Sequence, residues 1–142
     1  MVMKKIMIIL LIAFSNATIY AQCKEFTNQT VIPKLNDYLP TGKYHAMTLR
    51  EGEEILIFKT LNKGIKYRFV VMSDANIPQP IFKIVDWENN LIFDNQKNQN
   101  TNIFDYNCPL TQRIKIVIAI PVSSNNSQNI KSGCVSMVIG IK

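Results

Sequence analysis

At 142 residues the chain holds one ordinary domain and has no length for a second core. Its 16 basic and 10 acidic residues give a formal charge of +6, but the lysines and arginines are scattered singly. That pattern excludes a nucleic-acid interface and describes a mildly basic, solvated surface.

Lys4 and Lys5 precede an apolar run from Ile6 to Phe14, and polar Ser15–Thr18 then lead to Ile19-Tyr20-Ala21-Gln22. A positive start, a short apolar run and a small residue at the cut are the three parts of a cleavable signal peptide, expected over residues 1–21. A permanent anchor needs roughly 20 apolar residues, and no later segment offers them. The competing reading, a buried N-terminal strand or helix, leaves the three-part order unexplained. Lipid attachment at Cys23 is disfavoured, because Gln22 rather than a small residue precedes it. The expected mature chain is a single exported domain, 22–142, periplasmic or extracellular.

In residues 22–40 Phe26, Val31, Ile32, Leu35, Tyr38 and Leu39 recur at three- and four-residue steps, which predicts a helical segment. Pro33 forces a kink or a new start there, with Thr30 a candidate cap. Beyond Gly42 the period becomes two. Alternating stretches at 44–49, 55–58, 65–71, 81–86, 91–94, 102–106, 113–120 and 134–141 predict about eight short strands. Trp87-Glu88-Asn89-Asn90 reads as a hairpin connection, and the Asn/Ser/Gln-rich stretches 95–102 and 123–132 read as exposed loops. The fold class this predicts is mainly β: an antiparallel, jelly-roll-like sandwich with a short N-terminal helix packed on it.

The last strand supports the helix placement. Val135, Met137, Ile139 and Ile141 face one way, and the other face carries only Cys134, Ser136, Val138 and Gly140. Small residues on an outer face imply a close neighbour, and the N-terminal helix is the candidate. Three cysteines, Cys23, Cys108 and Cys134, allow three single pairings. Cys23–Cys134 is favoured, since Cys134 would face the helix. Against Cys108–Cys134 stands an assumed hairpin between 113–120 and 134–141, which would set Cys134 beside Ile118.

No catalytic constellation emerges. His45 is the only histidine, and no serine or cysteine is tied to it by a motif. Acids cluster at turns: Glu51, Glu53 and Glu54, then Asp86 and Glu88, with Asp94 and Asp105 at strand ends. Two of them in one cleft could serve glycoside hydrolysis. Asp86, Glu88, Asp94 and Asp105, with Asn90, are also calcium candidates, although the Asp-x-Asp-x-Asp-Gly spacing is missing. No cofactor is indicated. Trp87 and Tyr106 at strand ends could stack on a sugar or cap the core. Lys66 and Arg68, with Arg113 and Lys115, would form a basic patch if their strands were neighbours.

The segments Leu49-Arg50-Glu51-Gly52-Glu53, Asn62–Val71, Ile84-Val85-Asp86, Leu91–Asn95, Phe104-Asp105-Tyr106 and Ser132–Val135 resemble a group of small secreted proteins of Bacteroidota-type bacteria, as does the leader ending in Tyr-Ala-Gln. The strand-turn pattern is also similar to bacterial pre-peptidase C-terminal domains. The resemblance implies export and a sandwich, and supplies no catalytic residue. The expected function is a non-catalytic binding or accessory module for a glycan, an envelope component or a protein. The alternatives are a structural or assembly protein of the envelope and a small hydrolase using loop-end carboxylates.

Overall fold

The computed structural model describes residues 18–123 and 129–142, with side chains from Gln22 onward. The lysines and apolar run of the expected leader lie outside the described residues, as does the middle of the 123–132 loop. The expected cut after Ala21 falls within the first described helix, α1 (Thr18–Phe26).

Nine strands follow among the described residues: β1 (Leu39–Pro40), β2 (His45–Arg50), β3 (Glu54–Leu61), β4 (Lys66–Ser73), β5 (Ile81–Asp86), β6 (Leu91–Asp94), β7 (Ile103–Asn107), β8 (Gln112–Ala119) and β9 (Ser132–Ile141). All pairings are antiparallel and fall into two sheets. In one, β9 lies between β4 and an interrupted edge formed by β1 and β2, and β7 closes the far side. In the other the order is β3-β8-β5-β6. The fold is the expected sandwich. The extra strand is β1, two residues long, which pairs with the end of β9.

The alternation read from the sequence is the alternation of burial. Ile114, Ile116, Ile118 and Ile120 of β8 and its extension face Tyr67, Phe69 and Val71 of β4 and Val135, Met137 and Ile139 of β9 across one core. Aromatic rings tie the sheets together at the β6/β7 side: Phe93 stacks on Phe104 at 4.1 Å between centroids, and Phe82 and Phe69 extend the row. Phe69, fully buried, contributes on the order of 2–3 kcal/mol by removal from water alone.

The N-terminal segment lies on the outer face of the first sheet. After α1 the chain widens into a π-helical turn (Thr27–Val31) and tightens into a 3₁₀ turn (Ile32–Leu35) with Pro33 in its first turn. The N–H of Ile32 reaches back five residues to the Thr27 carbonyl, a widening that makes room for the proline ring. Helical backbone therefore runs straight through Thr30, which makes no cap, contrary to expectation. Val31 and Leu35 pack on Val70 and Val138, and the Thr27 hydroxyl, which donates to the Cys23 carbonyl (2.8 Å), is hydrogen-bonded to the Ser136 hydroxyl (2.9 Å). Cys23 and Cys134 form a disulfide with Cα atoms 5.3 Å apart, the favoured pairing.

One premise behind that pairing fails. β8 and β9 belong to different sheets and do not pair, so Cys134 is not beside Ile118. Cys108 is excluded differently: it is buried in the core beside the Gly64–Ile65 turn, near the Ile141 end of β9. Seven residues of strand, roughly 23 Å, separate that end from Cys134. The 95–102 stretch also differs from expectation. Asn95 is buried, accepting from the Phe82 N–H and donating to the Pro80 carbonyl, so the loop begins on a fixed pin.

Candidate binding surface

The two sheets differ on their outer faces. The sheet containing β9 is covered by the helical segment. The sheet β3-β8-β5-β6 has nothing over it among the described residues. Its outward positions can be read from the register. Leu56 lies opposite Val117, Phe58 opposite Lys115 and Thr60 opposite Arg113. On the other side of β8, Lys83 lies opposite Val117 and Val85 opposite Lys115, with Leu91 next to Val85. Apolar side chains thus run across four strands: Leu56 (52 % exposed), Phe58 (54 %), Val117, Val85 and Leu91 (47 %). Isolated exposed hydrophobics need no explanation, but a contiguous band does.

At one end of the band sits Trp87, 78 % exposed. It is held there by the β5–β6 hairpin. The N–H of Asn89 donates to the Asp86 carbonyl, the N–H of Asp86 donates to the Asn90 carbonyl, and Asn89 takes a positive φ of 65°, a conformation asparagine tolerates. Trp87 therefore stands at the tip of a tight turn, with no route into the core. Trp87, Phe58, Asp86, Asn89, Arg113, Ile114 and Lys115 enclose a cleft of about 230 Å³. The Arg113 guanidinium lies over the Phe58 ring at 5.2 Å, and Lys115 Nζ donates to Asn89 Oδ1 (2.8 Å). Neither cation has a carboxylate within ion-pair distance among the described residues.

Of the residues singled out from the sequence, the structure brings Trp87, Arg113, Lys115 and Asp86 together. It separates the rest. Lys66 and Arg68 are on β4, in the other sheet, so the four-residue basic patch does not form. Arg68 is also not free. It makes a two-pronged pair with Asp105 (2.7 and 2.6 Å), lies 4.4 Å over Tyr38 and donates to the Leu35 carbonyl. It therefore clamps the helical segment and β7. Asp105 holds its guanidinium even more firmly protonated than usual. Tyr106 faces inward, stacked near Phe104 with its hydroxyl accepting from Gln112, and offers no sugar platform.

The acids disperse. Asp94 is buried, caps the 3₁₀ turn after β6 and pairs with Lys83 at 3.4 Å. Asp105 is on the opposite sheet. Asp86 and Glu88 share the Asn90 amide on an exposed turn. Hydrogen bonds from Asn90 hold Asp86 below the usual carboxylate range, the wrong direction for a general acid. The four carboxylates therefore form neither the calcium cluster nor the paired acids that the sequence raised as candidates. The Glu51 cluster is occupied by its turn: Ser123 Oγ donates to Glu51, lowering its pKa, and the Arg50 N–H donates to Glu53. His45 is exposed on the edge strand β2.

Sequence reasoning missed Leu56 and Phe58. The run Ile55-Leu56-Ile57-Phe58 is apolar on both faces, so its pattern does not reveal that one face is bare. The available signal was the combination of a doubly apolar strand with solvent-type residues, Arg113 and Lys115, on a strand of the same alternation.

No family profile and no curated protein matches the chain. Solved structures do. Aeromonas hydrophila PliG, a periplasmic lysozyme inhibitor of g-type lysozyme, aligns with a TM-score of 0.51 at 10 % identity, over 70 % of this chain and 85 % of that one. Salmonella Typhimurium PliG aligns at 0.41 and 11 % over 70 % and 86 %, and a de novo designed double-stranded β-helix at 0.34 and 12 % over 71 % and 100 %. Among the described residues no helix is long and apolar enough to cross a membrane. At such low identity, the first of these likenesses speaks for the β fold that this chain shares with the Aeromonas protein.

Proposed function

We propose that the chain is an exported, non-catalytic module that binds a protein partner through the outer face of the β3-β8-β5-β6 sheet. One observation carries the reading: Leu56, Phe58 and Leu91 are exposed and Val117 and Val85 half-buried in one band that ends at exposed Trp87, on a sheet with no cover among the described residues, whereas the other sheet carries the helical segment over β2, β9 and β4. Aliphatic side chains dominate the band. A glycan platform would instead be built from flat aromatics with hydrogen-bonding groups between them, whereas mixed aliphatic, aromatic and arginine surfaces are typical of protein interfaces. The leader-like N-terminus and the resemblance to small secreted proteins support export to the periplasm or beyond. The dispersed acids support a role without catalysis.

The fold shared with a periplasmic inhibitor of g-type lysozyme names the first partner to try. Titration of g-type lysozyme by calorimetry, with inhibition of the enzyme measured in parallel, tests it. Binding that is lost in Phe58→Asp and kept in Lys66→Gln is the expected result. A folded protein that binds no lysozyme removes that partner. Glycan-array binding by the same preparation, lost in Trp87→Ala, replaces the protein reading with a glycan one.

A further inference from the structure

We infer that the cleft between Phe58 and Trp87 receives a carboxylate side chain, an aspartate or glutamate, projecting from the partner's surface. The inference deepens the binding reading above and rests on it. Three observations carry it.

Size comes first. A cleft of about 230 Å³ is smaller than the ~300–1,000 Å³ of pockets that enclose whole small molecules. It is the size for one side chain, with the remainder of the ligand lying on the flat band beside it.

Charge comes second. Arg113 and Lys115 both line the cleft, and their nearest partners are an aromatic ring and a neutral amide. The one acid there, Asp86, spends both carboxylate oxygens on Asn90, one on its N–H (2.8 Å) and one on its amide (2.9 Å). Glu88, on the same turn, does not line the cleft, so two cations against one locally satisfied carboxylate leave its wall net positive. The same charge speaks against a second copy of this chain as the occupant, because the chain as a whole is basic.

Construction comes third. Contact with the Phe58 ring restrains the Arg113 guanidinium, and Asn89 holds the Lys115 ammonium, so both donors are in place before anything binds. A preset guanidinium loses less rotamer freedom on forming a bidentate pair with a carboxylate. The walls, Phe58 and Trp87, exclude water from that pair once the partner is seated, which is the setting in which an interfacial ion pair contributes most.

Trp87 is the only tryptophan in the chain, so its fluorescence reports the cleft directly. The disulfide-bonded protein is titrated at constant ionic strength with 4-phenylbutyrate, and separately with its neutral analogue 4-phenylbutyramide. A saturable fluorescence change with the acid, at least fivefold weaker with the amide, is expected. Arg113→Gln should erase the difference between the two probes, and Lys66→Gln on the other sheet should leave it intact. Equal response to acid and amide, no saturable response to either, or a preference that survives in Arg113→Gln/Lys115→Gln would overturn the inference. Partner capture that depends on Phe58 but tolerates Arg113→Gln would sink the carboxylate assignment alone and leave the binding face standing.

Discussion

The two outer faces of this sandwich are built from opposite materials. On the covered sheet β9 shows Cys134, Ser136, Val138 and Gly140, side chains short enough for helical backbone to lie against the strand. A Cβ at Gly140 would stand 2.7 Å from Tyr38 and 2.9 Å from Leu35. On the open sheet the equivalent positions are Leu56, Phe58, Lys115 and Arg113, long side chains that leave no room for a closely packed cover and reach outward. The face that carries an intramolecular cover is thus smooth and small, and the face without one is tall and mixed. The contrast lies in side-chain volume rather than in hydrophobicity, since both faces are apolar along their middles.

Breaking the covered face should have the largest effects. Cys23→Ser/Cys134→Ser removes a bridge spanning 111 residues and should cost about 2–5 kcal/mol. Urea unfolding with and without reductant measures it, and reductant should no longer matter in the variant. Leu35→Ala, truncating a side chain buried between helix and sheet, should cost a comparable ~2–5 kcal/mol. Gly140→Val should cost about 1–3 kcal/mol by pushing the 3₁₀ turn off the sheet, while Val117→Leu on the open face should change stability by less than about 0.5 kcal/mol. Phe58→Asp, at a half-exposed strand position, should cost about 1 kcal/mol, well below Leu35→Ala, yet should abolish the proposed partner binding. An unfolding penalty from Phe58→Asp as large as that from Leu35→Ala would mean that the open face is in fact packed.

The smallest effect lies at the seam between the sheets. Partial desolvation of the imidazole, although its residue is largely exposed, and then the charge of Lys59, lower the pKa of His45 below its ordinary 6.5. The unfolded chain therefore takes up the proton first. Stability is full above pH ~6.5, falls as pH drops below it, and levels off once the folded pKa has been passed. Denaturant midpoints at pH 7.5 and pH 5 should differ in the native protein, and the part due to this group should vanish in His45→Gln.

Strand positions were legible because alternation is a local property: the isoleucines of β8 and the Tyr67-Phe69-Val71 face of β4 declare themselves in sequence. So did the seat of the helix, through the small residues of β9. Partnership between strands was not legible. It depends on which distant segments share a sheet, and the assumption that 113–120 and 134–141 form a hairpin failed for that reason. The same gap left open whether Lys66 and Arg68 lie beside Arg113 and Lys115, and the sandwich sets them on opposite sheets. Within the cleft, Trp87 was readable from its turn, whereas Phe58 was hidden in a run apolar on both sides.

β9 is at once the last described strand and an inner strand of its sheet, bonded to β4 on one side and to β1 and β2 on the other. A chain emerging N-terminus first can assemble the whole open sheet from residues 54–119 while the covered one still lacks its keystone. Until β9 arrives, β2 and β4 present unsatisfied edges and Cys23 lacks its native partner Cys134, so closure of the covered sheet waits for this one late strand. Losing the ten residues of β9 would cost the molecule far more than their share of its length.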